Sequence, residues 1–166
     1  VFDSEGTEIV ALTDAAILNF KTDPAPPVPT PPTLIGSTPA DNNLEVDALT
    51  FGQNLTLVFS EGITQSLVTS KKLELHNDSL GTSVSYTIAN GGYSYSQTAV
   101  PNDTLTLALG GDLLEDTAYH VTFDGGFVFD SEGTEIVALT DAAILNFKTD
   151  PAPPVPTPPT LIGSTP

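Results

Sequence analysis

The first 39 residues of the chain return without a single change as its last 39, Val1–Pro39 recurring as Val128–Pro166 at an offset of 127. Identity of that length does not arise by chance, so the sequence is written in a unit of 127 residues, and its fold must tolerate identical copies placed head to tail. The chain reads as a window across an array, and as an interior piece of something longer: the tail of one unit, a whole unit, and the head of the next.

Composition divides the unit. The runs Pro24–Pro32 and Asp150–Pro159 are too rich in proline to donate ladder hydrogen bonds, and they favour polyproline II. Such runs act as semi-rigid spacers rising about 3.1 Å per residue. The expected organisation is therefore residues 1–23 as the C-terminal part of a preceding repeat, 24–32 as linker, 33–149 as one complete domain, 150–159 as linker, and 160–166 as the start of the next repeat.

Between the linkers, apolar residues alternate with polar ones at period two, and no 3.6-residue period stands out. Leu55, Leu57 and Phe59 form one such series. Leu73 and Leu75 form another, followed by Val84, Tyr86 and Ile88, by Leu105, Leu107 and Leu109, by Tyr119, Val121 and Phe123, and by Leu145 and Phe147. Turn residues separate them: Asp41-Asn42-Asn43, Asn90-Gly91-Gly92, Pro101-Asn102-Asp103, Gly110-Gly111-Asp112 and Asp124-Gly125-Gly126. About seven short strands, each with one apolar face, predict an all-β antiparallel sandwich of two sheets. A single helical turn over Leu113–Asp116 is the most helix this pattern allows.

The ordered segments within 33–149 resemble a known family, the bacterial Ig-like domains of S-layer proteins and large surface adhesins. Leu34-Ile35-Gly36-Ser37-Thr38-Pro39-Ala40-Asp41 is similar to the family's opening strand and Pro-x-Asp turn. Leu55–Ile63 resembles its x-F-S-E-x-I strand, Leu114 through Phe123 the stretch in which a tyrosine begins a late strand, Phe129–Gly133 the x-D-x-x-G turn, and Ile144–Thr149 the closing F-x-T strand. The resemblance implies an Ig-like sandwich with a structural or adhesive role and no catalytic residues. It also implies two readings for Tyr119, an ordinary core residue or a tyrosine corner bonded to upstream backbone.

Charge narrows the partners. The chain has 21 acidic residues against 4 lysines, a formal charge of −17, which disfavours nucleic acid and anionic membrane surfaces. No run approaches the roughly 18 apolar residues of a membrane span. With no cysteine, the sequence holds neither a disulfide framework nor a thiolate metal site.

Few residues suggest chemistry. The two histidines, His76 and His120, stand outside any catalytic motif and fall at outward strand positions. No nucleophile elbow, phosphate loop or paired-histidine zinc motif occurs, so an enzyme is not expected. The loop Asp130-Ser131-Glu132-Gly133-Thr134-Glu135, with Asp124 before it, offers hard oxygens that suit calcium through Asp124, Asp130, Glu132 and Glu135; the alternative is a solvated acidic turn. A second acidic meeting point, Asp150 with Asp41 and Asp47, requires the linker to fold back.

Asn54, Asn77 and Asn102 begin formal N-x-[ST] sequons, while Thr30, Thr33, Thr157 and Thr160 sit among prolines as in O-glycosylated stalks. Tyr93 and Tyr95, beside a glycine pair, are the tyrosines placed to meet a glycan or protein ligand. Three functions follow from these readings. The first is an extracellular spacer or fibre shaft whose partners are neighbouring identical repeats; the second is a ligand-binding adhesin module; the third is a strand-exchanged subunit of a helical filament.

Overall fold

In the computed structural model, residues 4–6, 21–47, 54–66, 68–87 and 92–152 are described. Among them no helix forms, and the expected turn of helix over Leu113–Asp116 is an irregular turn with Asp116 at a positive φ of 48°. The strands are β1 (Leu34–Thr38), β2 (Asn43–Val46), β3 (Asn54–Phe59), β4 (Thr64–Gln65), β5 (Lys72–Asn77), β6 (Thr82–Thr87), β7 (Tyr93–Ser96), β8 (Thr104–Ala108), β9 (Ala118–Phe123), β10 (Val128–Phe129) and β11 (Asn146–Thr149).

They form two main sheets, ordered β1-β3-β8-β7 and β2-β11-β9-β5-β6, with a small β10-β4 ribbon beside them. Pairing is antiparallel except between β2 and β11, where Asn43 meets Phe147 and Val46 meets Thr149 in parallel. The period-two series explain the packing. Leu55, Leu57 and Phe59 of β3 are buried with Leu105 and Leu107 of β8, and their sheet covers Leu73 and Leu75 of β5, Tyr119, Val121 and Phe123 of β9, and Phe147 of β11. Each fully buried leucine or phenylalanine contributes roughly 1.5–3 kcal/mol relative to exposure, and these side chains form one continuous core.

The series on β6 departs from expectation. Val84 was expected to point into the core, but it is 55 % exposed and Tyr86 only half-buried. β6 is the edge of its sheet, so its inner face looks across the open side of the sandwich. Ile88 and the expected turn residues Asn90 and Gly91 lie outside the described residues.

The chain enters and leaves the sandwich at opposite ends. At the leading end, the Ser60 amide donates to the Thr33 carbonyl (2.9 Å) and the Thr33 amide to Ser60 Oγ (3.0 Å), beside the end of β3. The start of β8 and the end of β9 lie at this same end, through Phe59 N to Asp103 O (2.8 Å), Ile63 N to Asn102 O (2.9 Å) and Ser66 N to Phe127 O (3.3 Å). The trailing end is formed by the start of β9 and the end of β11, where Lys148 pairs Ala118 and the Asp150 amide donates to Val46 O (2.8 Å). Pro32 is buried and Asp150 is hydrogen-bonded into the trailing edge. The sandwich thus reaches one residue further at each end than the 33–149 read from composition.

Candidate functional site

Two buried aspartates organise the leading end. Asp103 is fully buried, and its carboxylate accepts from the amides of Thr98 (2.6 Å), Ala99 (2.5 Å) and Val100 (2.8 Å) and from the Thr104 hydroxyl (2.8 Å). Burial pushes this carboxyl up, but the four hydrogen bonds outweigh it and hold the group well below the usual carboxylate range. The loop from Thr98 to Asp103 is therefore wound around one negative charge. In the sequence Asp103 reads as a turn residue only, because burial of a carboxylate leaves no local mark.

Asp130, 2 % exposed, does the same for the next loop: its Oδ1 accepts from the Thr134 amide (2.6 Å) while its own amide donates to Thr134 O (3.1 Å). Burial again opposes ionisation, and bonds from Thr134, Glu132 and Gly133 again prevail, lowering the carboxyl's pKa. Gly133 turns this loop at a φ of 84°, a left-handed conformation that glycine adopts without strain.

These loops bring three acids together. One carboxylate oxygen from each of Glu61, Asp130 and Glu132 lies within 4.8 Å of the others. Glu61 is held there because Ile63 bonds to Asn102 and Gly62 lies hard against Pro101, whose carbonyl oxygen would stand 2.5 Å from an added Cβ. Burial first, then the charges of Asp130 and Glu132, raise the pKa of Glu61. Three carboxylate oxygens would supply half of a six-oxygen calcium shell.

Of the four expected calcium ligands, the structure brings Asp130 and Glu132 together and separates the other two. Asp124 uses Oδ2 to accept from the Lys72 amide (3.0 Å), and Glu135 lies over Gly126. Glu61 is distant in sequence from this loop, coming from the segment between β3 and β4, whose Thr64 pairs with Phe129; its signal is the Phe59-Ser60-Glu61-Gly62 run.

The remaining candidates are placed as follows. Tyr93 and Tyr95 were expected to be available to a ligand, but both pack against the core, with Tyr93 edge-on to Phe127 at a centroid distance of 5.8 Å. Burial raises the pKa of Tyr95 to about 12 and shifts Tyr93 upward as well. Asn77 is buried with its side-chain oxygen accepting from the Leu80 amide (2.9 Å), which removes it as an accessible sequon. Asn102 is exposed at a φ of 59°, and Asn54, Thr30 and Thr33 are exposed. Thr157 and Thr160 lie outside the described residues. His76 and His120 point outward from β5 and β9, between inward-facing Leu75 and Val121. Tyr119 is a tyrosine corner, its hydroxyl bonded to the backbone of Leu114.

Comparison with known proteins agrees with this architecture. No curated protein matches the chain. A family model described as bacterial Ig-like domain matches residues 28–149, starting within the proline run and ending on the last residue of β11. That family is generally non-enzymatic and typical of extracellular or surface proteins. With the match spanning most of the sequence and two Ig-like sheets beneath it, the chain belongs to the bacterial Ig-like domain family.

Proposed function

We propose that the chain is a spacer module of an extracellular fibre or giant surface adhesin, with units strung end to end. The observation that carries this reading is the placement of Thr33 and Asp150 at opposite ends of the sandwich, combined with the unchanged repeat at an offset of 127. Each added unit then adds length in one direction. Since Pro32 belongs to the sandwich, the stretch between neighbouring sandwiches is 24–31 and its copy 151–158, which in polyproline II spans about 25 Å.

Tyr93 and Tyr95 pack partly against the core and so offer little of the aromatic surface that a ligand-binding adhesin reading rests on, which favours the spacer reading. A stiffening role for calcium would rest on Glu61, Asp130 and Glu132, and melting curves in calcium against chelator test it. The spacer reading itself is tested by small-angle scattering of chains with one, two and three units. A maximum dimension that grows by a constant increment supports it; compaction of the longer chains overturns it.

A further inference from the structure

The two main sheets end in four edge strands, β1, β7, β2 and β6, and these are guarded differently. β1 is bulged between Leu34 and Gly36 and runs into Pro39, and β2 carries Glu45. β7 is four residues long and packs both of its tyrosines partly against the core. β6 has none of these devices. Thr82-Ser83-Val84-Ser85-Tyr86-Thr87 holds no charge and no proline, and it pairs with β5 over six consecutive residues without a shift in register. Charge, proline and bulges are the ordinary means of keeping an edge from pairing with another chain, and the longest edge of this sandwich lacks them.

We propose that β6 is an interaction surface for a second copy of this chain, the two β6 strands pairing antiparallel about a two-fold axis so that their sheets become one. Side chains opposite each other in an antiparallel pair share a face. Val84 lies opposite Leu75 and Tyr86 opposite Leu73, so Val84 and Tyr86 belong to the inner face. An axis centred on Val84 keeps them there: Val84 meets its own copy, Thr82 meets Tyr86, and on the outer face Ser83 meets Ser85. A slip by one residue would set Val84 against a serine and break this match. The inner face also has something to cover. Beside β6 opens a cavity of about 330 Å³ whose apolar lining includes Leu75, Tyr86, Leu109 and Leu113. Leu80, Val84 and Leu114, on the wall of the same cavity, are left exposed. A strand added to β6 carries its own Val84 across the mouth.

Charge selects the occupant. Two chains of formal charge −17 repel one another. β6 itself is neutral, and Glu74 behind it on β5 accepts from Ser85 (2.9 Å) and is paired with Lys72 at 3.0 Å. At this strand two such chains approach without setting like charges opposite each other, and its sequence complements itself in the centred register. A basic peptide would instead be drawn to the acidic surfaces. The two-fold axis runs the chains in opposite directions, and an array with a constant repeat of 127 residues can then pair every unit at once. Pairing of one unit is independent of the end-to-end arrangement proposed above; only its multiplication into a bundle of antiparallel shafts rests on that arrangement.

The test is sedimentation velocity of the full chain, run as a concentration series into the millimolar range. A monomer–dimer equilibrium is expected, and because like charges oppose it, it strengthens as NaCl is raised. A chain longer by one unit dimerises more tightly by roughly 10²–10⁴-fold, the gain from a second tethered contact. Val84→Lys sets two ammonium groups opposite each other and returns the chain to monomer, with Tm unchanged because the side chain lies at the surface. The sequence has no cysteine, so Val84→Cys reports the register. Residues facing across the axis have Cα atoms about 4.5–5.5 Å apart, within disulfide reach, and mild oxidation yields a covalent dimer. Ser83→Cys, displaced from the axis, yields little. Should the lysine variant fold poorly, the cross-linking contrast decides alone. A parent chain that stays monomeric in high salt, a dimer that survives Val84→Lys, or equal cross-linking at both positions overturns the proposal. If the single chain pairs and the longer one gains nothing, the edge pairing stands and the end-to-end arrangement fails.

Discussion

The hydroxyl of Tyr119 accepts a hydrogen bond from the amide of Leu114, 2.9 Å away, and so ties the first part of β9 to the loop that precedes it. Tyr119 is itself buried, its ring stacked on Phe147 at 5.5 Å. Tyr119→Phe keeps the ring and removes the bond. A loss of about 1 kcal/mol is expected, measurable as a fall of several degrees in Tm with no change in circular dichroism.

Thr149 closes the same corner. Its hydroxyl accepts from the Thr117 amide (2.9 Å) and donates to the Leu114 carbonyl (2.6 Å), at a position 1 % exposed. Thr149→Val preserves shape and leaves both backbone groups without that partner. The cost should exceed that of Tyr119→Phe, about 2–3 kcal/mol, read from urea denaturation with an unchanged m-value.

Asp103 gives the stability a sign in acid. Its folded pKa is depressed, so the stabilisation is present above the unfolded value, about 3.9, and is lost as pH falls through the folded value. Asp130 acts in the same direction. Tm should therefore drop steeply below about pH 4. Asp103→Asn should lower Tm at neutral pH, since an amide cannot accept from three amides and a hydroxyl together, and should flatten the acid limb. A variant as stable as the parent at pH 7 would contradict the role given to this carboxylate.

Glu61 acts in the opposite sense. Its folded pKa is raised, so its charge costs stability above that value, and the cost disappears as pH falls below the unfolded one. Glu61→Gln should raise stability at pH 7 by on the order of 0.5 kcal/mol, a small gain because solvent still screens a half-buried charge at the surface. Parallel melts at pH 7 and pH 3.5 check it: the advantage should be confined to the higher pH.

Alternation made the central strands legible, because residues such as Leu57, Leu75, Leu107 and Val121 report the pleat directly and lie where both sheets cover them. At the margins the same signal misled. Val84 alternates like a core residue yet lies on an edge strand, and Tyr93 and Tyr95 read as exposed although they fill the side of the sandwich. Pattern reports which residues share a face of a strand, and only the assembled sheets decide what lies opposite. Distance along the chain hid the rest. Glu61 and Asp130 meet across 69 positions, and His76 meets His120 across 44, separations to which no local pattern is sensitive. Tyr119 was legible as one of two alternatives, and its bond to Leu114 decides between them.

Because β2 and β11 are parallel neighbours, and the chain is attached beyond them at opposite ends, tension along a string of such units does not peel them apart one bond at a time. A pull on Thr33 and Asp150 first loads β1 against β3 and then β2 against β11, where the two strands would shear along their common axis with the bonds between them loaded together. A module wired this way should resist stretching better than one whose terminal strands unzip. An array of them would hold its length under flow or traction until whole sandwiches give way, one unit at a time.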